Sequence, residues 1–198
     1  MSVEQGPGEG RSPYWGVPIA RAIPAFVVAA YLTFTENHSS QVGLFVFGSY
    51  AVVASVIVAV LSARYVAVPA TRRLCVAQGV IGLVLGVVAL VFNTGGTPFF
   101  LYIVTLFGAL TGFLELYCGL RSRTTKDHLA AKDWIAAGAF TALLALVFLV
   151  VPLDVVTAVG LFGGYAVMLG IYLVIGGLSL RWGPGPAAST SLSQETTL

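Results

Sequence analysis

Glu115 is the residue of this chain whose placement most suggests chemistry, because it lies inside an apolar run, Phe99 to Leu120. An ionisable side chain at membrane depth is costly, faces the bundle interior or water, and pairs with a partner. Two partners stand at similar depth in other apolar runs, Arg21 near the start of the first and Gln78 near the start of the third. A guanidinium grips a carboxylate with two hydrogen bonds, and an amide can add a third. The expected arrangement is a buried Arg21–Glu115 pair steadied by Gln78. Such a pair can be purely structural. It can also make Glu115 a proton-exchanging group, since burial and a neighbouring cation pull carboxylate protonation in opposite directions.

The remaining chemistry-bearing residues form no motif. There is no Gly-rich phosphate loop ending in Lys-Ser or Lys-Thr, no His-Glu-x-x-His, and no histidine inside an apolar run. Ser49 follows Gly48 without an intramembrane base to activate it. Glu36, His38 and Asp154 fall between apolar runs with no cation beside them. They read as solvated loop residues, or as a pH-sensing face that acid would neutralise or reverse. Their donors make no convincing metal site, so no enzyme, metal or cofactor is expected. Cys75 and Cys118 read as small core residues at helix ends, with reversible lipidation as the functional alternative. Asn37-His38-Ser39 matches a glycosylation acceptor and Thr196-Thr197-Leu198 a PDZ-type ligand; both read as chance.

These residues must be carried by membrane helices. The chain of 198 residues is 58% hydrophobic and 9% charged, far from the soluble norm. Apolar runs extend from Val17 to Phe34, Val42 to Ser62, Leu74 to Phe92, Phe99 to Leu120, Trp134 to Val151 and Val155 to Leu180. Each is close to the roughly 20 residues that span hydrocarbon, giving an all-α protein of six transmembrane helices. Pro18, Arg21 and Pro24 in the first run argue against a cleaved leader. Residues 1–16 and 183–198, rich in Gly, Pro and small polar residues, are expected to be disordered tails.

Every Lys and Arg falls on one side of that topology: Arg11 and Arg21, then Arg64, Arg72 and Arg73, then Arg121, Arg123, Lys126 and Lys132, then Arg181. Basic residues stay in the cytoplasm, so both termini are expected inside a cytoplasmic membrane. The slight net charge of +2 reflects anchoring and gives no reason to expect nucleic acid as a partner. The fourth loop, where Asp127 and Asp133 interleave the basic residues, can also touch anionic head groups.

The runs repeat. Phe34, Phe92 and Phe148 close three of them, and Gly48, Thr105 and Gly163 open the three that follow, at an interval of about 57 residues. The simplest reading is three tandem helical hairpins, about 17–62, 74–120 and 134–180. Small residues seven apart, Gly48 and Ser55, Thr105 and Gly112, Gly163 and Gly170, share one face of each even helix. Gly79, Gly82, Gly86, Gly108, Gly160 and Gly164 form further small-residue faces. Such faces let helix backbones approach closely, within the chain, in a homo-oligomer or against another membrane protein.

With three two-helix repeats, small-residue stripes on the even helices, Pro98 and Pro152 in outer loops and Trp182 beyond the sixth run, the chain resembles the HdeD-like family of short-repeat bacterial inner-membrane proteins over roughly residues 17–182. The resemblance implies a six-helix membrane protein connected with acid resistance or stress tolerance, without a defined reaction. A small transporter or channel with Glu115 as its proton-sensitive group is the alternative, as is a membrane-complex assembly partner. Same-sense repeats differ from the inverted repeats of alternating-access carriers.

Overall fold

The computed structural model describes residues 15–124 and 128–182, with the side chains of His128 and Leu129 left aside. The expectations for residues 1–14 and 183–198, and for Lys126 and Asp127, lie outside the described residues. Six helices follow in order: α1 Gly16–Phe34, α2 Ser40–Tyr65, α3 Pro69–Val91, α4 Gly96–Ser122, α5 His128–Val150 and α6 Val155–Trp182. All six are long and apolar enough to cross a membrane, and the described residues contain no strand. Over the described residues the protein is all-helical, and its six helices make it a multi-pass membrane protein.

Helix starts have local causes. Ser39 caps α2 by accepting from the Val42 amide at 3.4 Å. Pro69 occupies the first turn of α3, where no amide hydrogen is needed. Gly96 has φ +77°, a left-handed conformation open to glycine, and turns the chain into α4. Asp154 caps α6. Pro24 lies within α1, which continues through it although the ring supplies no amide to the preceding turn.

Several helices outrun their apolar segments. α3 begins at Pro69, five residues before Leu74, and α5 begins at His128, so Lys132 and Asp133 are helical where the sequence suggested a loop. Backbone hydrogen bonding continues past the hydrocarbon boundary, and long basic side chains reach back to water. Arg64, Arg72, Arg73, Arg121, Arg123, Lys132 and Arg181 all lie at one end of the bundle, the basic end. Glu36, His38 and Asp154 lie at the other.

The closest helix pairs are α2 with α3, α4 with α5, and α1 with α6, which closes the ring. They are offset by one helix from the hairpins read in the sequence, and glycines explain why. A methyl group on Gly86 would lie 2.8 Å from the Val52 amide nitrogen, and one on Gly79 2.8 Å from the Ser55 carbonyl. Gly48 and Gly82 serve the same α2–α3 seam. Across α4–α5, a methyl group on Gly108 would lie 2.9 Å from the Thr141 carbonyl and one on Gly112 2.7 Å from the Ala142 nitrogen. Gly163 and Gly170 rest against Leu32 and Phe26 of α1. Without a hydrophobic drive between helices in lipid, this backbone proximity holds the pairs together.

Gly160 and Gly164 depart from the expected packing role, since a methyl group on either would meet nothing within 4 Å. Gly164 instead borders an apolar groove of about 250 Å³ between α5 and α6, one of the looser seams. A second groove of about 370 Å³ separates α1 from α2.

The core reflects this arrangement. Phe47 meets Phe107 and Phe162 edge to face, with centroids 5.3 and 5.5 Å apart. Leu44, Phe100, Ile103, Val104, Phe148 and Val159 continue the core toward the end opposite the basic one.

Gly138→Ala tests the tight seams, because its new methyl group would lie 2.6 Å from the Leu116 nitrogen and 2.9 Å from the Gly112 carbonyl. Detergent unfolding curves should show a loss of about 1–3 kcal/mol. Gly160→Ala and Gly164→Ala should stay within about 0.5 kcal/mol of the parent.

Candidate functional site

Arg21, Gln78 and Glu115 come together. Glu115 is 2% exposed, and its two oxygens accept from both terminal nitrogens of Arg21, with Nη2 to Oε2 at 3.1 Å. Gln78 Nε2 donates to Oε2 at 3.2 Å. The carboxylate thus has three donors from two other helices, as a charge in a low-dielectric interior requires. The pair is formally neutral and ties α1 to α4, with α3 joined through the amide.

The surroundings bring in the other three helices. A cavity of about 20 Å³ adjoins the pair and is lined by Arg21 of α1, Tyr50 and Ser55 of α2, Gln78 of α3, Thr111 and Glu115 of α4, Thr141 of α5 and Tyr165 of α6. That is room for one water molecule. The Thr141 and Tyr165 hydroxyls lie 2.9 Å apart, and Tyr50 lies within hydrogen-bonding reach of Tyr165. Thr111 and Thr141 also donate to backbone carbonyls four residues earlier in their own helices, at 2.6 and 2.8 Å. Every helix therefore places a side chain with hydrogen-bonding capacity at one point inside the bundle.

Sequence reasoning found the charged trio but missed Tyr50, Ser55, Thr111, Thr141 and Tyr165 as its neighbours. Spacing offered part of a signal, since Gly48-x-Tyr50 and Gly163-x-Tyr165 put phenols at matching places beside the small-residue stripe. Asp133 was missed as well. It lies within hydrogen-bonding reach of Tyr172, while its Oδ2 is buried without a partner.

Cys75 and Cys118 are buried, with their sulfurs 3.8 Å apart. Among the described residues no group of three or more His, Cys, Asp or Glu side chains could hold a metal ion. Glu36, His38 and Asp154 do not gather into one site. The His38 ring nitrogen lies 3.3 Å from the Glu36 carbonyl. Asp154 Oδ1 accepts from the Thr157 hydroxyl at 2.6 Å, and Oδ2 accepts from the Thr157 and Val156 amides. Those bonds, the Thr157 hydroxyl foremost, hold the Asp154 carboxyl below the usual carboxylate range.

Comparison with protein-family models, curated proteins and solved structures found no match for this chain.

Two outcomes are expected. Glu115→Gln strands the Arg21 charge and should cost about 3–5 kcal/mol, whereas Arg21→Met with Glu115→Leu removes both charges and should recover most of that loss; thermal unfolding in detergent measures both. The depressed Asp154 pKa means its cap is fully present above the ordinary carboxylate range and is lost as pH falls through the folded value. The protection factors of the Val156 and Thr157 amides, corrected for the intrinsic pH dependence of exchange, should fall in acid, and Asp154→Ala should lower them at every pH.

Proposed function

We propose that this protein is a cytoplasmic-membrane protein with both termini inside, serving acid or stress tolerance, and that Glu115 is its working proton-exchanging group. The observation that supports this reading is the convergence of all six helices on one charged, water-sized cavity. Glycine contacts join the three closest pairs, and the cluster joins those pairs to one another with two buried charges where apolar side chains of similar volume would also serve. Protonation of Glu115 converts a neutral pair into an unbalanced Arg21 cation. The arrangement held by the Arg21 clamp and the Gln78 bond then loses its main electrostatic support. A two-state change biased by cytoplasmic pH is the natural outcome of such a group.

A cavity for one water disfavours a carrier for larger solutes in this conformation. The uncovered Gly160 and Gly164 face supports a second reading, in which α5 and α6 receive a helix of another membrane protein.

The deciding experiment is survival of a deletion strain after acid challenge. The strain is complemented at matched membrane expression with wild type, Glu115→Gln or the Arg21→Met, Glu115→Leu double variant. Wild type should restore survival and the well-folded double variant should not. Equal rescue by the double variant would reduce the pair to a structural clamp. A deletion strain that survives like its parent would sink the acid-tolerance role.

A further inference from the structure

The polar side chains buried in this bundle are distributed unevenly along its axis. Ser55, Gln78, Thr111, Glu115 and Thr141 are level with the cavity, while Ser62, Thr71 and Ser122 lie between it and the basic end. Among the described residues, no fully buried Ser, Thr, Gln or charged side chain lies beyond the cavity on the other side. That half is filled by Phe47, Phe100, Phe148, Phe162 and their aliphatic neighbours. The Thr33 and Thr105 hydroxyls of that half donate to carbonyls of their own helices, at 2.7 and 2.8 Å, and so form no chain that leads from the cavity.

Toward the basic end the polar residues are paired in register. Gln78 meets Glu115 at 3.2 Å, Cys75 meets Cys118 at 3.8 Å, and Thr71 meets Ser122 at 3.4 Å. Positions 71, 75 and 78 lie on one stripe of α3, and 115, 118 and 122 on one stripe of α4. All six side chains are buried. The ladder spans about 10 Å along the helices and ends where α3 begins and α4 stops. Beside it, Ser62 is 0% exposed and its hydroxyl oxygen has no partner. The α2–α3 register set by Gly86 against Val52 and Gly79 against Ala59 puts Ser62 level with Cys75. A buried, unsatisfied hydroxyl next to such a ladder is a place where a water molecule gains hydrogen bonds.

Resting on the reading of Glu115 as a proton-exchanging group, we infer that it exchanges with one side only, through a path over Ser122, Thr71, Ser62, Cys118 and Cys75. The proton arrives from water at the basic end and ends on a Glu115 oxygen, converting the neutral pair to a net charge of one positive unit on Arg21. Facing Glu115 are Arg21 from α1, Tyr50 from α2, Gln78 and Cys75 from α3, Cys118 on its own helix, Thr141 from α5 and Tyr165 from α6. Arg21 is the one cation among them, so the protonation state of Glu115 sets the charge of the cluster. The aromatic half is a seal. The protein in this conformation reads the pH of one compartment and does not conduct protons across the membrane.

The test uses the full-length protein in sealed vesicles sorted by whether an impermeant amine reagent labels the basic end. After an external acid jump, the carboxylic C=O infrared band is followed and assigned to Glu115 by its loss in Glu115→Gln. A prompt band is expected when the basic end faces out. With the opposite orientation the band should appear only after a protonophore is added. Ser62→Ala, and separately Cys75→Val with Cys118→Val, should lose the prompt phase while retaining wild-type circular dichroism. A prompt band from both sides, or only from the aromatic side, overturns the one-sided path and leaves the proton role intact. A Glu115 band that never appears, even with protonophore, overturns the proton role and this inference with it.

Discussion

The structure depends on one ion pair held in hydrocarbon. Arg21 and Glu115 are far apart in sequence, and either charge alone is costly at this depth. Their union fixes the rotation of α1 and α4 relative to each other, because a bidentate contact requires both side chains to face the same axis. Gln78 adds α3 to the same point. The hydroxyls of Tyr50, Thr141 and Tyr165 surround the pair with groups that can hydrogen-bond without adding charge. The cluster thus has two opposite charges at its centre and uncharged hydrogen-bonding groups around them.

Around this centre, glycine decides which helices touch. Gly79 and Gly86 bring α3 onto α2, and Gly112 and Gly138 bring α4 onto α5, with backbone against backbone. Larger side chains keep the α1–α2 and α5–α6 seams apart, and grooves form there. Close contact between helices and close neighbourhood in sequence therefore differ in this protein. A short loop joins two helices without making them best packing partners.

The six helices were legible in the sequence because apolar length is a strong signal, and Arg21, Gln78 and Glu115 because intramembrane charge has so few ways to be satisfied. Helix ends were less legible. Asp133 and Lys132 looked like loop residues because an apolar window stops at Trp134, yet the helical hydrogen bonds begin earlier. The partner of each glycine face was also hidden. Spacing identifies which residues share a face but carries no information about which helix that face will meet, so Gly164 and Gly112 looked alike while one borders a groove and the other touches backbone. Tyr50, Thr141 and Tyr165 gave little warning, since phenols and hydroxyls occur on many membrane helices and acquire meaning only from the charge they surround.

The closure of the ring by α1 and α6 has a consequence for how the protein is made. Of the six helices, α1 precedes the other five in the chain, and its closest packing partner, α6, follows them. Until α4 emerges, Arg21 has no carboxylate. Until α6 emerges, the face of α1 carrying Phe26 and Leu32 lacks the glycines it rests against. Between the emergence of α1 and that of α4 and α6, the helix thus waits at the edge of a growing assembly for the carboxylate and then for the cover of its face. The centre is complete only once α6, which carries Tyr165, has joined the other five helices.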